Sequence, residues 1–457
     1  MIFPVKKDVL EIYHKIKSSG FEVFFVGGCV RDLLLDREVK DWDMATSGTP
    51  EEIQKLFPDS FYDNSFGTVG IPLPNIEETE HKGIIEITTF RTESSYSDNR
   101  HPEKVEWGKT IEEDLTRRDF TINAIALSIN KDGEENIIDP YGGKLDLEKK
   151  IIRAVGNPIE RFAEDALRLL RAIRIATQLQ FEIEPKTWDA VIEKAKTINQ
   201  ISKERIRDEL LKTLATNNPY EGVMLFDTAG LLKHIIPELI DGKSVSQARP
   251  GRHHTTDVFD HNVLSLKNCP SKDPVVRFAT LLHDVGKPSV ESKDENGLVI
   301  FYNHEVRGAK IASEIADRLR FSKKQRGKIH TLIRWHMFTI DEHITDSAIR
   351  RFIRRVGVEN VNDMIDLRIG DRLGGGTQFA ESWRLKKFKE RLNEQLNPPF
   401  SINDLAVNGT DVMKELNIDP GPAVGKILQT LFEEVDENLE LNNRDHLLKR
   451  IHEISVS

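Results

Sequence analysis

The chain has 457 residues, more than one ordinary hydrophobic core organises, so two to four domains of roughly 100 to 200 residues each are expected. Its 65 Lys and Arg against 75 Asp and Glu leave a formal charge of −10, which excludes wholesale electrostatic coating of nucleic acid and leaves room only for a local basic groove. Two cysteines, Cys29 and Cys269, lie far apart without CxxC or Cys/His finger spacing, so neither a disulfide framework nor a zinc finger is indicated and a reducing cytoplasm fits.

The N-terminal MIFPVKKDVLEIYHKIKSSG is broken by charge every few residues, and no apolar run approaches the ~20 residues of a membrane span. Up to about residue 145, β-rich runs (VFFVGG, IIEITTF, NAIALSI, NIIDPY) alternate with helical stretches such as TPEEIQKLF, which predicts a mixed α/β domain. From LDLEKKIIRAVGNPIERFAEDALRLLRAIRIATQL onward the apolar period becomes 3.6, so the remainder should be all α and the whole chain of the α+β class. Breaks at ARPGRHHTTD (248–257), LGGGTQ (373–378) and LNPPFS (396–401) suggest segments 1–145, 146–250, 251–375 and 376–457.

In VGGCVRDLLLDREVKDWDMAT (26–46), Asp41 and Asp43 flank Trp42; on a strand their period of two puts both carboxylates on one face. Such a pair suits a divalent cation, since Mg²⁺ is commonly held by one or two carboxylates plus substrate phosphate oxygens. Gly27 and Gly28 end a strand and let backbone N–H groups approach a phosphate, with Arg31 one helical turn further on. Taken singly, the glycine pair also reads as a tight turn; the missing GK[ST] ending excludes a P-loop.

Glu86 alternates with Ile85 and Ile87 and would face away from them, toward the aspartates if its strand adjoins theirs. Asp165, Arg168, Arg171 and Arg174 recur every three residues, a slowly drifting stripe on a helix that is equally an ordinary solvated face. His261, His283, Asp284, His304, His336 and Asp371 lie in order on a helical background. Imidazole with carboxylate suits Zn²⁺, Mn²⁺, Fe²⁺ or Ni²⁺, and a site with open positions can activate water.

GGCVRDLLLDREVKDWD resembles the GGxVRD…DxD signature of the DNA polymerase β superfamily, in particular the class II nucleotidyltransferases: tRNA CCA-adding enzymes, their CC-adding and A-adding relatives, and bacterial poly(A) polymerases. FRTESSYSDNRHPEKVEWGKTIEEDLTRRDFTINAIAL, IIDPYGG, RFAEDALRLLRAIR and KERIRDELLK resemble further motifs of that family in the same order. The resemblance implies a polymerase-β-like nucleotidyltransferase head over residues 1–145, followed by a helical neck and body for base recognition and RNA binding. It implies that Asp41 and Asp43 hold Mg²⁺, with Glu86 as a third active-site carboxylate. An RNA 3′-hydroxyl would then attack the α-phosphate of CTP or ATP at the tRNA 3′ end.

Asp165 would accept from an exocyclic amine and Arg168 donate to ring acceptors, imitating a complementary base. Arg118, Arg171 and Arg174 are implied as ribose and triphosphate contacts, beside Gly27, Gly28 and Arg31. NSFGTVGI (64–71) looks like the CCA-type segment, without a basic GRRF-type stretch, which favours CCA addition over a poly(A) polymerase. The uninterrupted stretch between Arg91 and Arg118 argues against a CC-only enzyme, and full CCA against terminal-A addition stays open.

Residues 254–375 resemble the HD superfamily of metal phosphohydrolases, which implies a divalent transition metal on His261, His283, Asp284 and Asp371. Lys287 would meet substrate phosphate, and His304 and His336 would hold a second metal or phosphate. Such a domain hydrolyses phosphoesters or serves as a scaffold. A reading of another class makes the chain mainly a phosphohydrolase with an RNA-binding N-terminal half. SINDLAVNGTDVMKELNIDPGPAVGKILQTLFEEV resembles the C-terminal helical segment of HD-bearing members, and IRRFIRR (349–355) and RLKKFKER (384–391) are candidate tRNA-backbone contacts or solvated faces.

Overall fold

The computed structural model describes residues 3–63, 67–73, 83–96, 102–130, 133–247, 256–338, 344–377, 379–380, 382–396 and 401–456. Most of the break expected at 248–257, three residues of NSFGTVGI, part of the stretch between Arg91 and Arg118, and the centre of LNPPFS lie outside the described residues. The chain divides into two compact units, Met1–Ile240 with Arg318–Phe321, and Asp241–Asp317 with Ser322–Ser457.

The first unit carries a sheet of seven strands. In chain order these are β1 (Val23–Val26), β2 (Trp42–Thr46), β3 (Phe61–Asp63), β4 (Thr68–Pro72), β5 (Ile84–Thr89) and, past the β6 (Arg91–Tyr96) and β7 (Pro102–Trp107) hairpin, β8 (Ala126–Ile129) and β9 (Glu135–Ile138). The spatial order is β3-β4-β5-β2-β1-β8-β9. Within this sheet β2 and β5 run parallel, with Asp43 beside Glu86, whereas the other neighbours are antiparallel.

The sheet is buried on both faces because the inward residues of β2 differ by strand parity. Trp42 and Met44 join Phe25, Ile85 and Ile87 among the buried residues; Phe25 meets Trp42 edge-on at 5.6 Å and stacks on Tyr13 at 4.9 Å. Ala45, on the opposite face, packs with Val26, Ala126, Phe90 and Leu115. Asp43 shares the parity of Ala45, so its carboxylate leaves the sheet at the end of that second apolar layer. TPEEIQKLF forms its helix, Pro50–Leu56, behind a capping box of Thr49 and Glu52, which satisfies two otherwise orphaned backbone donors.

Three helices of this unit carry the site. They are α1 (Gly28–Leu34), α2 (Leu167–Leu179) and α3 (Lys203–Leu214). Buried residues of α2 include Leu169, Leu170, Ala172, Ile173 and Ala176, and that apolar face fixes which way its arginines point.

The second unit is helical: α4 (Val258–Lys267), α5 (Pro274–Leu282), α6 (His304–Arg318), α7 (Lys323–Trp335), α8 (Asp346–Val356), α9 (Val361–Gly374), α10 (Trp383–Gln395) and α11 (Pro422–Glu437) are its longer members before the final helix, Arg444–Val456. Gly370 and Gly374 set the α4–α9 approach. A Cβ on Gly370 would lie 2.6 Å from the Ser265 carbonyl oxygen, and one on Gly374 2.3 Å from Ser265 Oγ. Gly374, expected in a linker, is thus the last residue of a helix pressed against its neighbour. α8 is tied to α11 through buried Asp436, whose carboxylate accepts from Arg350 Nε and Arg354 Nη2, both at 2.7 Å. The IRRFIRR segment therefore spends two of its four arginines on internal bonds. In RLKKFKER, Leu385 and Phe388 are buried while Lys386 and Lys387 are exposed.

Candidate nucleotidyl-transfer and metal sites

Gly27 stands at the head of α1 with φ 74° and ψ −135°, a conformation that L side chains rarely adopt. A Cβ there would lie 2.9 Å from Arg118 Nη1 and 3.5 Å from Asp43 Oδ2. The bare glycine thus admits a guanidinium and a carboxylate to the same point at the helix head. Arg118 Nη2 donates to buried Asp114 at 3.0 Å, while its buried Nε has no hydrogen-bond acceptor among the described residues. Gly27→Ala is expected to cost ~1–3 kcal/mol in backbone strain and to displace Arg118, so nucleotide KM should rise at least tenfold; an unchanged KM in a steady-state incorporation assay would contradict this role.

Asp43 is pushed up to about 6, first by burial and then by the negative charge of Glu86, with Arg118 opposing and Asp41 adding to the rise. Asp41 itself precedes the first strand residue, Trp42, and is exposed. Three carboxylates, two of them raising the pKa of the third, are a donor set that fits a divalent cation. Cys29, whose thiol is pushed up to about 12 by burial and then by Asp43, lies behind the pair as an inert filler.

Arg31 is buried, with Nη1 on Asn123 Oδ1 at 3.0 Å and its other nitrogens on Asp32 at 2.9 and 3.0 Å. Asn123 in turn donates to Asp119 at 3.0 Å, and Asp119 accepts from Arg171 Nε at 2.7 Å. Burial opposes the Asp119 anion, but Arg171 and Asn123 outweigh it and hold the carboxyl well below the usual range. A continuous chain, Arg31–Asn123–Asp119–Arg171, therefore couples the head of α1 to α2.

α2 begins at Leu167, so Asp165 lies before the helix in extended backbone rather than at the top of its stripe. Its carboxylate caps Leu167 N at 2.9 Å and accepts from Arg205 Nη2 of α3 at 2.7 Å. Arg168 is buried, and its fork is taken by Glu164 at 2.5 Å and by the carbonyls of Arg161 and Arg117, each at 3.0 Å. Arg174 donates to buried Glu209 at 2.6 Å. Asp114, Asp119, Asn123 and Arg205 were given no role from the sequence, although all stand inside quoted motifs. Only Asp114 carried a local signal, lying three and four residues before Arg117 and Arg118, whereas Asp119, Asn123 and Arg205 find the partners Arg171, Arg31 and Asp165 far along the chain.

The histidines and aspartates of the second unit converge. Asp284 Oδ2 is 3.3 Å from His261 Nε2 and 3.4 Å from His283 Nε2, while its Oδ1 is 3.3 Å from His304 Nε2 and 3.7 Å from His336 Nε2. Asp371 Oδ1 completes the first side at 3.3 and 3.6 Å from His261 and His283. Two triads result, His261/His283/Asp371 and Asp284/His304/His336, each with donor atoms within 4.8 Å of one another.

The Nδ1 atoms of His283, His304 and His336 face the carbonyls of Thr280, Phe301 and Ile333 at 2.8, 2.8 and 2.7 Å. Such a bond fixes the Nδ1–H tautomer and turns the Nε2 lone pair inward, as in metal-bound imidazoles. Burial, then the neighbouring His283, pushes His336 down to about 3 and keeps it neutral. Lys287 Nζ sits 2.5 Å from Asp284 Oδ2 and 2.5 Å from Gln247. A Cβ on Gly286 would lie 2.2 Å from the His304 carbonyl oxygen, so the HDVGK turn needs glycine to bring Asp284 against α6.

Comparison with known proteins draws these features together. The poly A polymerase head domain model matches residues 23–153, a segment described as a "Probable RNA and SrmB-binding site of polymerase A" matches 180–242, and tRNA nucleotidyltransferase domain 2 matches 290–451. The CCA-adding enzyme of Limosilactobacillus reuteri is 32% identical over 458 residues, spanning 99% of this chain and 97% of its own. The chain belongs to the CCA-adding enzyme family. The CCA-adding enzyme of Lactococcus lactis subsp. lactis is 34% identical over 443 residues, 96% of this chain and 94% of its own. Among solved structures, the CCA-adding enzyme of Bacillus stearothermophilus in complex with CTP is similar with a TM-score of 0.69 at 27% identity, covering 99% of this chain and 98% of that one. As a family member the chain is a tRNA nucleotidyltransferase with the α+β organisation expected. No helix among the described residues is long and apolar enough to cross a membrane.

Proposed function

We propose that the first unit adds nucleotides of the CCA terminus, or its final A, to the tRNA 3′ end from CTP and ATP without a nucleic-acid template. The observation carrying this reading is the Asp43–Glu86 pairing across parallel strands, set against Gly27 and Arg118. Asp41, Asp43 and Glu86 would hold Mg²⁺, which supplies charge neutralisation at the entering and leaving oxygens. Gly27, Gly28, Arg31 and Arg118 form the triphosphate cradle, and Arg171 and Arg174 extend it along α2. The 3′-hydroxyl oxygen bonds to the α-phosphorus as the bond to pyrophosphate breaks, and its proton leaves toward the carboxylates. Free, buried Cys29 and Cys269 are compatible with a cytoplasmic setting.

Asp165, held by Arg205, and Arg168, held by Glu164, are the base-reading pair of this proposal. Watson–Crick-like readout requires them to exchange those bonds for bonds to the incoming base. Incubating the protein with tRNA transcripts that end before C74, or one or two residues later, with CTP or ATP and Mg²⁺, is expected to restore the missing terminus. In the same assay Asp165→Ala should narrow the preference for CTP and ATP over UTP and GTP at least tenfold, because a base lacking the amine then leaves no buried acceptor unpaired. Failure to label any transcript sinks the reading, and unchanged base choice sinks the role of Asp165.

A second reading concerns the second unit. We infer that the two triads would hold divalent transition-metal ions, with Asp284 presenting one oxygen toward each imidazole pair. His261, His283 and Asp371 would take one ion and His304 and His336 the other, and the ions would supply water activation for phosphoester hydrolysis. Lys287, already drawn to Asp284, stands at the edge of the centre to meet substrate phosphate.

A further inference from the structure

One row of the seven-stranded sheet runs from the carboxylates to its edge. Asp43 on β2 is opposite Glu86 on β5, Glu86 is opposite Gly70 on β4, and Gly70 is opposite Phe61 on β3. Residues directly opposite one another project from the same face of a sheet. Phe61 therefore shares the face of Asp43 and Glu86, with about 14 Å between the outer backbones of the row. The apolar layer that covers Ala45 has ended here, for Glu86 is exposed and Phe61 is 51% exposed.

Gly70 lets Phe61 reach inward. A Cβ there would lie 2.7 and 2.8 Å from the two Cε atoms of the Phe61 ring, so the ring tip rests on the bare backbone of β4 and leans toward the Glu86 strand. An aromatic laid over a strand glycine also protects the sheet, but that role alone calls for burial, and half of this ring stays open to solvent. The direction of attack decides what reaches it. The cradle of Gly27, Gly28 and Arg118 flanks Asp43 on the β1 side and Glu86 flanks it on the other, since β2 lies between β1 and β5. In an in-line transfer the entering and leaving oxygens lie on opposite sides of phosphorus. With pyrophosphate toward β1, the entering 3′-hydroxyl comes from the β5 side and its nucleoside lies over β5 and β4.

We infer that Phe61 is the stacking platform for the base of the RNA 3′-terminal nucleotide, the one whose 3′-hydroxyl attacks. The inference rests on the nucleotidyl-transfer reading of the first unit and gives its second substrate a contact of its own. A phenyl face carries no hydrogen-bonding atom and offers every base the same surface. That suits a terminus whose last base changes with each addition. The incoming base is read by Asp165 and Arg168, whereas the terminal base of the RNA is held by surface contact alone. Phe61 thus acts on the affinity for tRNA and leaves the choice of nucleotide to the other side of Asp43.

The test is steady-state incorporation by the full chain into tRNA transcripts, varying tRNA at saturating nucleotide and then nucleotide at saturating tRNA. Phe61→Leu keeps an apolar cover on Gly70 and removes the flat ring. It should raise the tRNA KM about tenfold, as loss of one base–aromatic stack does, with kcat and the CTP and ATP KM values within about twofold of wild type. Phe61→Trp, which keeps an aromatic face, should stay within about threefold. A transcript whose terminal ribose keeps its hydroxyls but lacks its base should cost wild type the same factor of about ten and should no longer distinguish wild type from Phe61→Leu, because each change removes the same contact. A purely structural ring would impose its penalty on both transcripts alike. An unmoved tRNA KM in Phe61→Leu, an equal penalty on the intact and the abasic transcript, or a rise confined to the nucleotide KM overturns the inference while the transferase reading stands. A wild-type protein that labels no transcript takes both down together.

Discussion

Asp43→Asn is expected to lower nucleotide incorporation into tRNA by at least ~10³-fold, a loss of ~4 kcal/mol of transition-state stabilisation, while making the metal-free protein more stable. Both effects come from one arrangement. Asp43 is crowded by Glu86 across the β2–β5 register and by Asp41 two residues earlier. Burial and that like charge push its carboxyl up to about 6, so keeping it ionised at neutral pH opposes folding by on the order of 3 kcal/mol. The sign follows from the direction. An acid whose folded pKa is raised destabilises the fold above that pKa, and the penalty disappears as pH falls toward the unfolded value. Asparagine has the same shape and no charge, so it relieves the repulsion and removes a cation ligand in a single step. Thermal melts in EDTA should show a Tm above wild type, whereas Mg²⁺ should raise the Tm of wild type more than that of the variant. A variant that is inactive but less stable than wild type in EDTA would mean that Asp43 serves the fold and not a cation.

Much of this centre was legible in the amino-acid order because its constraints are local. Gly27, Gly28, Asp41 and Asp43 fall within seventeen residues of chain, and the strand and helix that display them follow from period and glycine placement. Glu86 was legible only as a conditional, since nothing in IIEITTF states that its strand lies beside WDMAT. The parallel pairing that settles its place is a long-range choice of the sheet. The partners of the arginines were hidden for a related reason. Asp119 and Arg171 are 52 positions apart, and Asp165 and Arg205 are 40 apart, so their pairing depends on how α2 and α3 pack on the head.

The helical start at Leu167 was also hidden, because Asn157 and Pro158 open a separate short helix that ends at Glu164 and resets the phase before the stripe begins. In the second unit the histidines were legible as a set, whereas their division into two triads was not. That division depends on Gly286, Gly370 and Gly374, whose missing side chains let α6 and α9 close on Asp284 and α4.

Asp284→Asn is expected to give the opposite stability result to Asp43→Asn and to empty the second unit of metal. Asp284 is buried like Asp43, yet it faces cations and hydrogen-bond donors instead of acids. Burial works against its anion, but Lys287, His283 and His261 outweigh that and hold the carboxyl well below the usual range. Removing the charge leaves the Lys287 ammonium, only 12% exposed, beside a neutral amide. Breaking a buried pair in this way costs ~3–5 kcal/mol, so the metal-free variant should melt below wild type.

The metal consequence is separate from that cost. One Asp284 oxygen faces His261 and His283 and the other faces His304 and His336, so a single substitution would remove a carboxylate oxygen from beside both imidazole pairs. His336→Ala takes a ligand from one. After Mn²⁺ loading and dialysis, elemental analysis should find two ions per wild-type chain, about one in His336→Ala, and less than one in Asp284→Asn. Incorporation of CTP and ATP into tRNA should stay within about twofold of wild type in both variants, because Asp41, Asp43 and Glu86 belong to the other unit. Equal metal content in the three proteins would remove Asp284 from the ligand set, and a parallel loss of incorporation would tie the two centres into one reaction.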